Sequence, residues 1–131
     1  NRQCWHFSVI SKREDIDRLA EAVRLACGRD ERYNFYHPAA MIIASAEREI
    51  EMGRDDCACA LQNIFLAAHA LGIGSVWINQ IRDVCDVPEV RNLLCGYGVP
   101  DAHVVYGAAA LGYAAKPPRI TEKKLENISY H

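Results

Sequence analysis

The chain has 131 residues and a mass of 14.7 kDa, the size of one domain, so any site lies inside it or at a contact with another chain. Half of the residues are hydrophobic and 24% are charged, ordinary globular usage that excludes disordered and collagen-like chains. With 15 basic against 17 acidic residues and a formal charge of −2, no overall field draws the chain to nucleic acid or to an anionic membrane.

The longest mainly apolar stretch, residues 57–78, is broken by Gln62, Asn63, His69, Gly72 and Gly74, which argues for a buried helix and strand and against a membrane span. Six cysteines, Cys4, Cys27, Cys57, Cys59, Cys85 and Cys95, are expected as free thiols in a reducing cytoplasm, because a chain this rich in aliphatic residues needs no disulfide staples. The sequence carries no signal peptide and no initiator Met, and residues are expected upstream of Asn1.

In chain order, residues 4–10 alternate Trp5, Phe7 and Val9 with His6 and Ser8, the period of a strand. Residues 14–27 place Ile16, Leu19, Ala20, Val23 and Ala26 or Cys27 on one helical face, with Gly28 as the stop. Residues 29–38 are polar and aromatic, a covering loop, and residues 40–46 read as a short buried strand. A charged connection follows, in which Asp55 or Asp56 is placed to cap a helix over residues 57–71. That helix is apolar on almost every side and is expected to be buried nearly all round. Residues 73–78 read as a strand. Asp86, Pro88 and Glu89 suggest a capping box for a helix through Leu94 that Gly96 terminates. Residues 104–113 form a last strand, rich in Gly and Ala, whose small side chains admit a close backbone or a flat ligand. The tail from Ala114 onward is expected to lie along another surface. The alternation gives a layered α/β or α+β domain with about four strands.

Common site signatures are absent: no Walker loop, no G-x-G-x-x-G and no G-x-S-x-G. Cys57 and Cys59 lie two apart on a helix, point in different directions, and read as packed thiols instead of a metal pair. His69 within the apolar helix reads as a core or interface histidine. Gln62 and Asn63, in that same helix, require partners if buried, because an unpaired amide costs about 1–3 kcal/mol; exposure or nearby backbone bonds would serve as well. Lys116 and Arg119 stand at the ends of K-P-P-R, where prolines hold the chain extended and present two cations for a phosphate.

Segment 56–78, DCACALQNIFLAAHALGIGSVWI, closely resembles the central helix and strand of the nitroreductase family of FMN-dependent oxidoreductases. The opening NRQCWHFSVI is similar to that family's N-x-Q-P-W-x-F strand, with Cys4 where the family usually has Pro, and YGAAALGY over residues 106–113 is similar to its final strand. The family's Arg/Ser segment that grips the FMN phosphate would lie ahead of Asn1. The resemblance implies an α+β fold: a nitroreductase-like three-layer α/β/α sandwich with a mixed, mainly antiparallel sheet. It also implies a homodimer with an exchanged C-terminal tail and FMN at the interface. Carried over residue by residue, it sets Asn1 and Gln3 near the flavin ring and Arg2 near its polar edge. Trp77, Ile78, Asn79 and Gln80 would cover one flavin face with a backbone N–H directed at N5, and Lys116 and Arg119 would hold the phosphate. No catalytic side chain is obligatory, since the cofactor carries the hard step. The implied activity is ping-pong transfer from NAD(P)H through FMN to a small-molecule electron acceptor such as a nitroaromatic or quinone. A flavin store or sensor without turnover and a plain interaction module are the rival readings.

Overall fold

A computed structural model describes residues 3–117, 121–122 and 127–129. The elements follow in the order β1 (Trp5–Ile10), α1 (Arg13–Ala26), β2 (Ala40–Glu47), α2 (Gly53–Ala70), β3 (Gly74–Ile78), α3 (Gln80–Val84), α4 (Pro88–Gly96) and β4 (His103–Gly112). The strands form one sheet in the order β1-β2-β4-β3. All three pairings are antiparallel, so the mixed sheet expected from the sequence is not seen among the described residues. The reason is topological: β1 and β4 run the same way with β2 between them, and β2 and β3 run the same way with β4 between them, so no two parallel strands are neighbours.

Period-two alternation sorts the strand residues onto two faces. Met41, Ile43, Val105, Ala108 and Ala110 join Ile16, Leu19 and Val23 of α1, Ile81 of α3, and Val90 and Leu94 of α4 in the larger core. On the opposite face Ala44, Ala46 and Ala109 receive Cys57 and Leu61 of α2. Helices therefore cover both faces of the sheet, giving three layers. Each large aliphatic side chain removed from water contributes about 1.5–3 kcal/mol, and the larger core holds most of them. Loop 29–38 covers part of that core: Phe35 is buried in it, with Tyr33 packed alongside.

Helix α1 ends where the sequence predicts, with Gly28 at φ 61° just beyond it. Other boundaries differ. Helix α2 starts at Gly53, before the expected cap; Asp55 and Asp56 lie in its first turn, where negative charge suits the helix dipole, and no side chain caps it. Nor is α2 buried all round. Among its residues Gly53, Cys57, Leu61 and Ala68 are buried, while Leu66 is 59% exposed, because one sheet face can cover only one stripe of a helix. His69, Gln62 and Asn63 all lie in the exposed part, so His69 is no core residue and the two amides need no partner within the chain. Of the Cys57/Cys59 pair, Cys57 is a packed thiol and Cys59 is exposed; all six cysteines are free.

The capping box at α4 does not form. Val87 is the N-cap, extended and without a side-chain bond, and Pro88 occupies the first helical position. Asp86 is drawn away by charge: its Oδ1 accepts from Arg48 at 2.7 Å and from Arg91 at 2.6 Å. Both cations hold its carboxyl below the ordinary range. Gly96 belongs to α4, and the left-handed residue beyond the helix is Gly98, at φ 90°. Helix α3, five residues long, is too short to show a hydrophobic period and was not expected; Ile81 and Val84 anchor it.

One irregularity sets the geometry of the α2 face. Ser45 pairs with Val105, whereas Ala44 pairs with Gly107, so Tyr106 is an extra residue in β4. Such a bulge makes two successive residues face the same way. Tyr106 packs in the α2-side core, and Gly107 also faces α2: a Cβ there would run into Trp77 Nε1 and lie 3.0 Å from Leu61 Cδ1. Gly107→Ala is expected to displace the indole and destabilise the chain by about 1–3 kcal/mol, the usual scale of overpacking. Denaturant titration would read the loss of stability, and tryptophan emission the displaced ring.

Beneath α4 sits a small polar group in an apolar layer. His103 is buried, with Nδ1 3.2 Å from Ser45 Oγ and its ring edge-on to His6 at 6.1 Å between centroids. Burial, then the neighbouring His6, push its pKa below the ordinary value; Glu47 pulls it up by less, and Arg91 adds the smallest downward push. A histidine with a lowered folded pKa leaves stability intact above its unfolded value, about 6.5. Below that, the unfolded chain takes up a proton that the folded one resists, and stability falls with pH. The urea midpoint is expected to drop between about pH 7.5 and pH 5. His103→Asn, which keeps a hydrogen-bonding side chain without the titration, should flatten that drop.

Candidate functional site

Trp77 is the large aromatic side chain at the exposed edge of the sheet. It sits on β3, the outer strand, opposite Ala109, and remains 43% exposed. Its indole lies against Gly107 on one side and near Phe65 of α2 on another, ring centroids 6.1 Å apart with a 44° tilt. The run Gly107, Ala108, Ala109 and Ala110 leaves room for this ring, because no side chain larger than a methyl group rises from the strand beneath it.

Ile78, next along β3, points the other way and is buried in the larger core. Only its backbone can be offered to a ligand. Asn79 is the exposed N-cap of α3, with no side-chain cap bond, and Gln80 is half-buried at its first position. Two cavities flank this corner. Trp77 and Asn79 line one of about 400 Å³, with Arg54, Arg82 and Tyr106. Trp77, Ile78 and Gln80 line another of about 290 Å³, with Tyr33, Asn34 and Tyr36. The site residues expected on β3 and α3 therefore adjoin one another.

The remaining expected residues do not join them within one chain. Gln3, exposed and at φ 50°, precedes β1, at the opposite edge of the sheet from β3. Three strand spacings separate the two edges, about 14 Å. Lys116 is exposed and follows β4, whose Gly112 pairs with Gly74, at the far end of β3 from Ile78. Asn1, Arg2 and Arg119 lie outside the described residues.

Loop 29–38 contributes residues that sequence reasoning missed. Tyr36 and His37 occupy the left-handed region at φ 64° and 51°, a conformation that costs an ordinary residue of order 1–3 kcal/mol. Asn34 imposes it: its Oδ1 accepts the Tyr36 N–H at 2.6 Å, and its Nδ2 donates to the Arg32 carbonyl at 3.2 Å. The ring of Tyr36, 72% exposed, lines the 290 Å³ cavity and a further one of about 470 Å³ bounded by His37, Pro38, Gly74 and Leu111. Beside it, burial pushes the Tyr33 phenol up to about 12, so that group stays protonated at neutral pH. The available signal was Asn34, a residue that readily bonds its backbone two residues on.

A fourth cavity, about 640 Å³, is apolar and lies between β1 and α2, lined by Trp5, Phe7, Val9, Ile42 and Ile64 among others. Trp5, Phe7 and Val9 are the alternating apolar residues of β1, and α2 does not reach far enough to cover them. Among the described residues no group of three or more His, Cys, Asp or Glu is placed to hold a metal ion. None of the helices searched is long and apolar enough to cross a membrane.

Comparison with known proteins gives a consistent result. The sequence model of the nitroreductase family matches residues 1–113. The chain is 38% identical to a nitroreductase of Bacteroides fragilis NCTC 9343, solved with bound FMN. Their folds superpose with a TM-score of 0.92 over 100% of this chain and 78% of that one. It is 33% identical over 118 residues to a protein of Archaeoglobus fulgidus provisionally named NADH dehydrogenase/NAD(P)H nitroreductase, and covers 63% of its length. A Methanothermobacter thermautotrophicus protein with the same provisional name is 32% identical over 118 residues, with 57% of its length covered. The chain thus spans less than two thirds of each of these two relatives.

Proposed function

This chain belongs to the nitroreductase family, and on that basis we propose that it is an FMN-dependent NAD(P)H oxidoreductase acting on a small-molecule electron acceptor. The observation that carries the reading is the likeness in both sequence and fold to the Bacteroides fragilis nitroreductase, which was solved with FMN. The corner around Trp77 fits a planar anionic ring. A half-exposed indole stands over a strand of small residues, and the first N–H groups of α3 are not taken up by a capping side chain.

Bound there, FMN would supply hydride and electron transfer. The protein's share is position and polarity. Trp77 and the backbone from Ile78 to Gln80 would bound one face, with an N–H for N5; Asn1 and Gln3 would lie near the ring and Arg2 near its polar edge. Lys116 and Arg119 hold the phosphate, where a guanidinium fork adds a bidentate contact. NAD(P)H and the acceptor would occupy the site in turn, the ping-pong order. Heat release followed by mass analysis should yield FMN and not FAD, and anaerobic NADH or NADPH should bleach the visible flavin band. Arg119→Ala should weaken flavin retention more than Lys124→Ala. Flavin that binds but does not bleach would favour a store or sensor.

The working unit in this reading is a homodimer that completes the site. Gln3 and Lys116 are set apart from Trp77 in one chain, so a second copy can supply what the first places elsewhere. Leu66 and Leu71 of the α2 region, 59% and 73% exposed, and the β1–α2 groove offer apolar surface of the kind that isologous contacts cover. Sedimentation at micromolar concentration should give about twice 14.7 kDa. A monomer that retains flavin and turns over would overturn the shared site.

A further inference from the structure

The cavity of about 400 Å³ beside Trp77 shares Trp77 and Asn79 with the flavin reading and carries charged side chains which that reading leaves unused. Two guanidiniums reach it, Arg54 from the first turn of α2 and Arg82 from α3, against one carboxylate, Asp55. Arg54 has no ion pair or side-chain hydrogen bond among the described residues. Arg82 is held at Nε by Asp83 at 3.2 Å, and its two terminal nitrogens have no acceptor among the described residues. The Asn79 amide adds a neutral donor, and Trp77 and Tyr106 contribute flat aromatic walls. The bulge in β4 puts Tyr106 on the α2 side of the sheet, where it packs against that core and also lines this space.

Guanidinium groups with free terminal nitrogens beside aromatic faces match one ligand chemistry: a planar ring bearing a carboxylate, the ring against indole and phenol and the carboxylate on those nitrogens. We propose that this cavity binds a small aryl carboxylate and so makes the chain favour negatively charged ring compounds over neutral ones of the same shape. As a binding site it stands apart from turnover; as a selector of acceptors it rests on the oxidoreductase reading. A lone phosphate would engage the same nitrogens and leave both aromatic walls unused.

Calorimetric titration of the purified protein, with whatever flavin it carries, separates these possibilities. Benzoate should bind, with an affinity that falls as salt is raised; benzyl alcohol and inorganic phosphate should bind far more weakly. Arg54→Gln and Arg82→Gln should each weaken benzoate about tenfold, the scale of one lost charge-assisted bond. Arg29→Gln, in the exposed loop, should leave it unchanged. Arg54→Lys, which keeps the charge and loses the fork, should bind benzoate between the parent and Arg54→Gln, and serves if Arg54→Gln fails to fold. The proposal is overturned if benzoate does not bind, if benzyl alcohol binds as well, if phosphate competes at equal strength, or if both glutamine variants bind like the parent. Bleaching by NAD(P)H on the same sample reports on the oxidoreductase reading independently, so either can fail alone.

Discussion

The close approach of helix α2 to the middle of the sheet governs the arrangement of everything around it. A helix packs near a strand only where the facing side chains are small, and here Ala44, Ala46 and Ala109 provide the floor on which Cys57 and Leu61 rest. Gly53 presses the same requirement at the helix start: a Cβ there would stand 2.9 Å from the Ala46 methyl group. Once α2 is fixed, Phe65 sets the tilt of Trp77, and Gly107 gives the indole its bed. The candidate site is thus a by-product of helix-on-sheet packing, made of positions where bulk is forbidden and one ring that exploits the space.

Much of this was legible in the chain itself. The period of residues 14–27, the small-residue run from Gly107 to Ala110, and the alternation from Trp5 to Val9 each report a local rule that tertiary structure did not override. What was not legible depends on partners distant in sequence. Asp86 looks like a cap until Arg48, 38 residues away, claims its carboxylate. The apolar content of α2 suggested full burial, yet composition cannot say how many neighbours a helix has, and one sheet covers one stripe. The bulge at Tyr106 has no signature in β4 alone, since it is a mismatch of register with β2.

The same contrast holds at the site. Trp77, Asn79 and Gln80 adjoin because they follow one another along the chain, so reading them together was sound. Arg54, Arg82 and Tyr106 come from three elements and converge only in the folded chain. The strained pair Tyr36 and His37 was hidden for another reason: tyrosine does not favour a left-handed backbone, and the Tyr36 N–H is held by Asn34 two residues earlier.

The two outer strands carry a consequence for the chain on its own. Folded proteins usually blunt a free strand edge with lysine, proline or a bulge. β1 reads W-H-F-S-V-I and β3 reads G-S-V-W-I, and neither contains a lysine, a glutamate or a proline. The bulge lies between β2 and β4, where it guards no edge. Among the described residues neither strand has a partner on its outer side, so the chain displays two templates for strand addition, flanked by the exposed Phe7 and Trp77. Crowding the chain with copies of itself therefore favours edge-to-edge strand pairing, the association that lysine or proline on those strands would oppose.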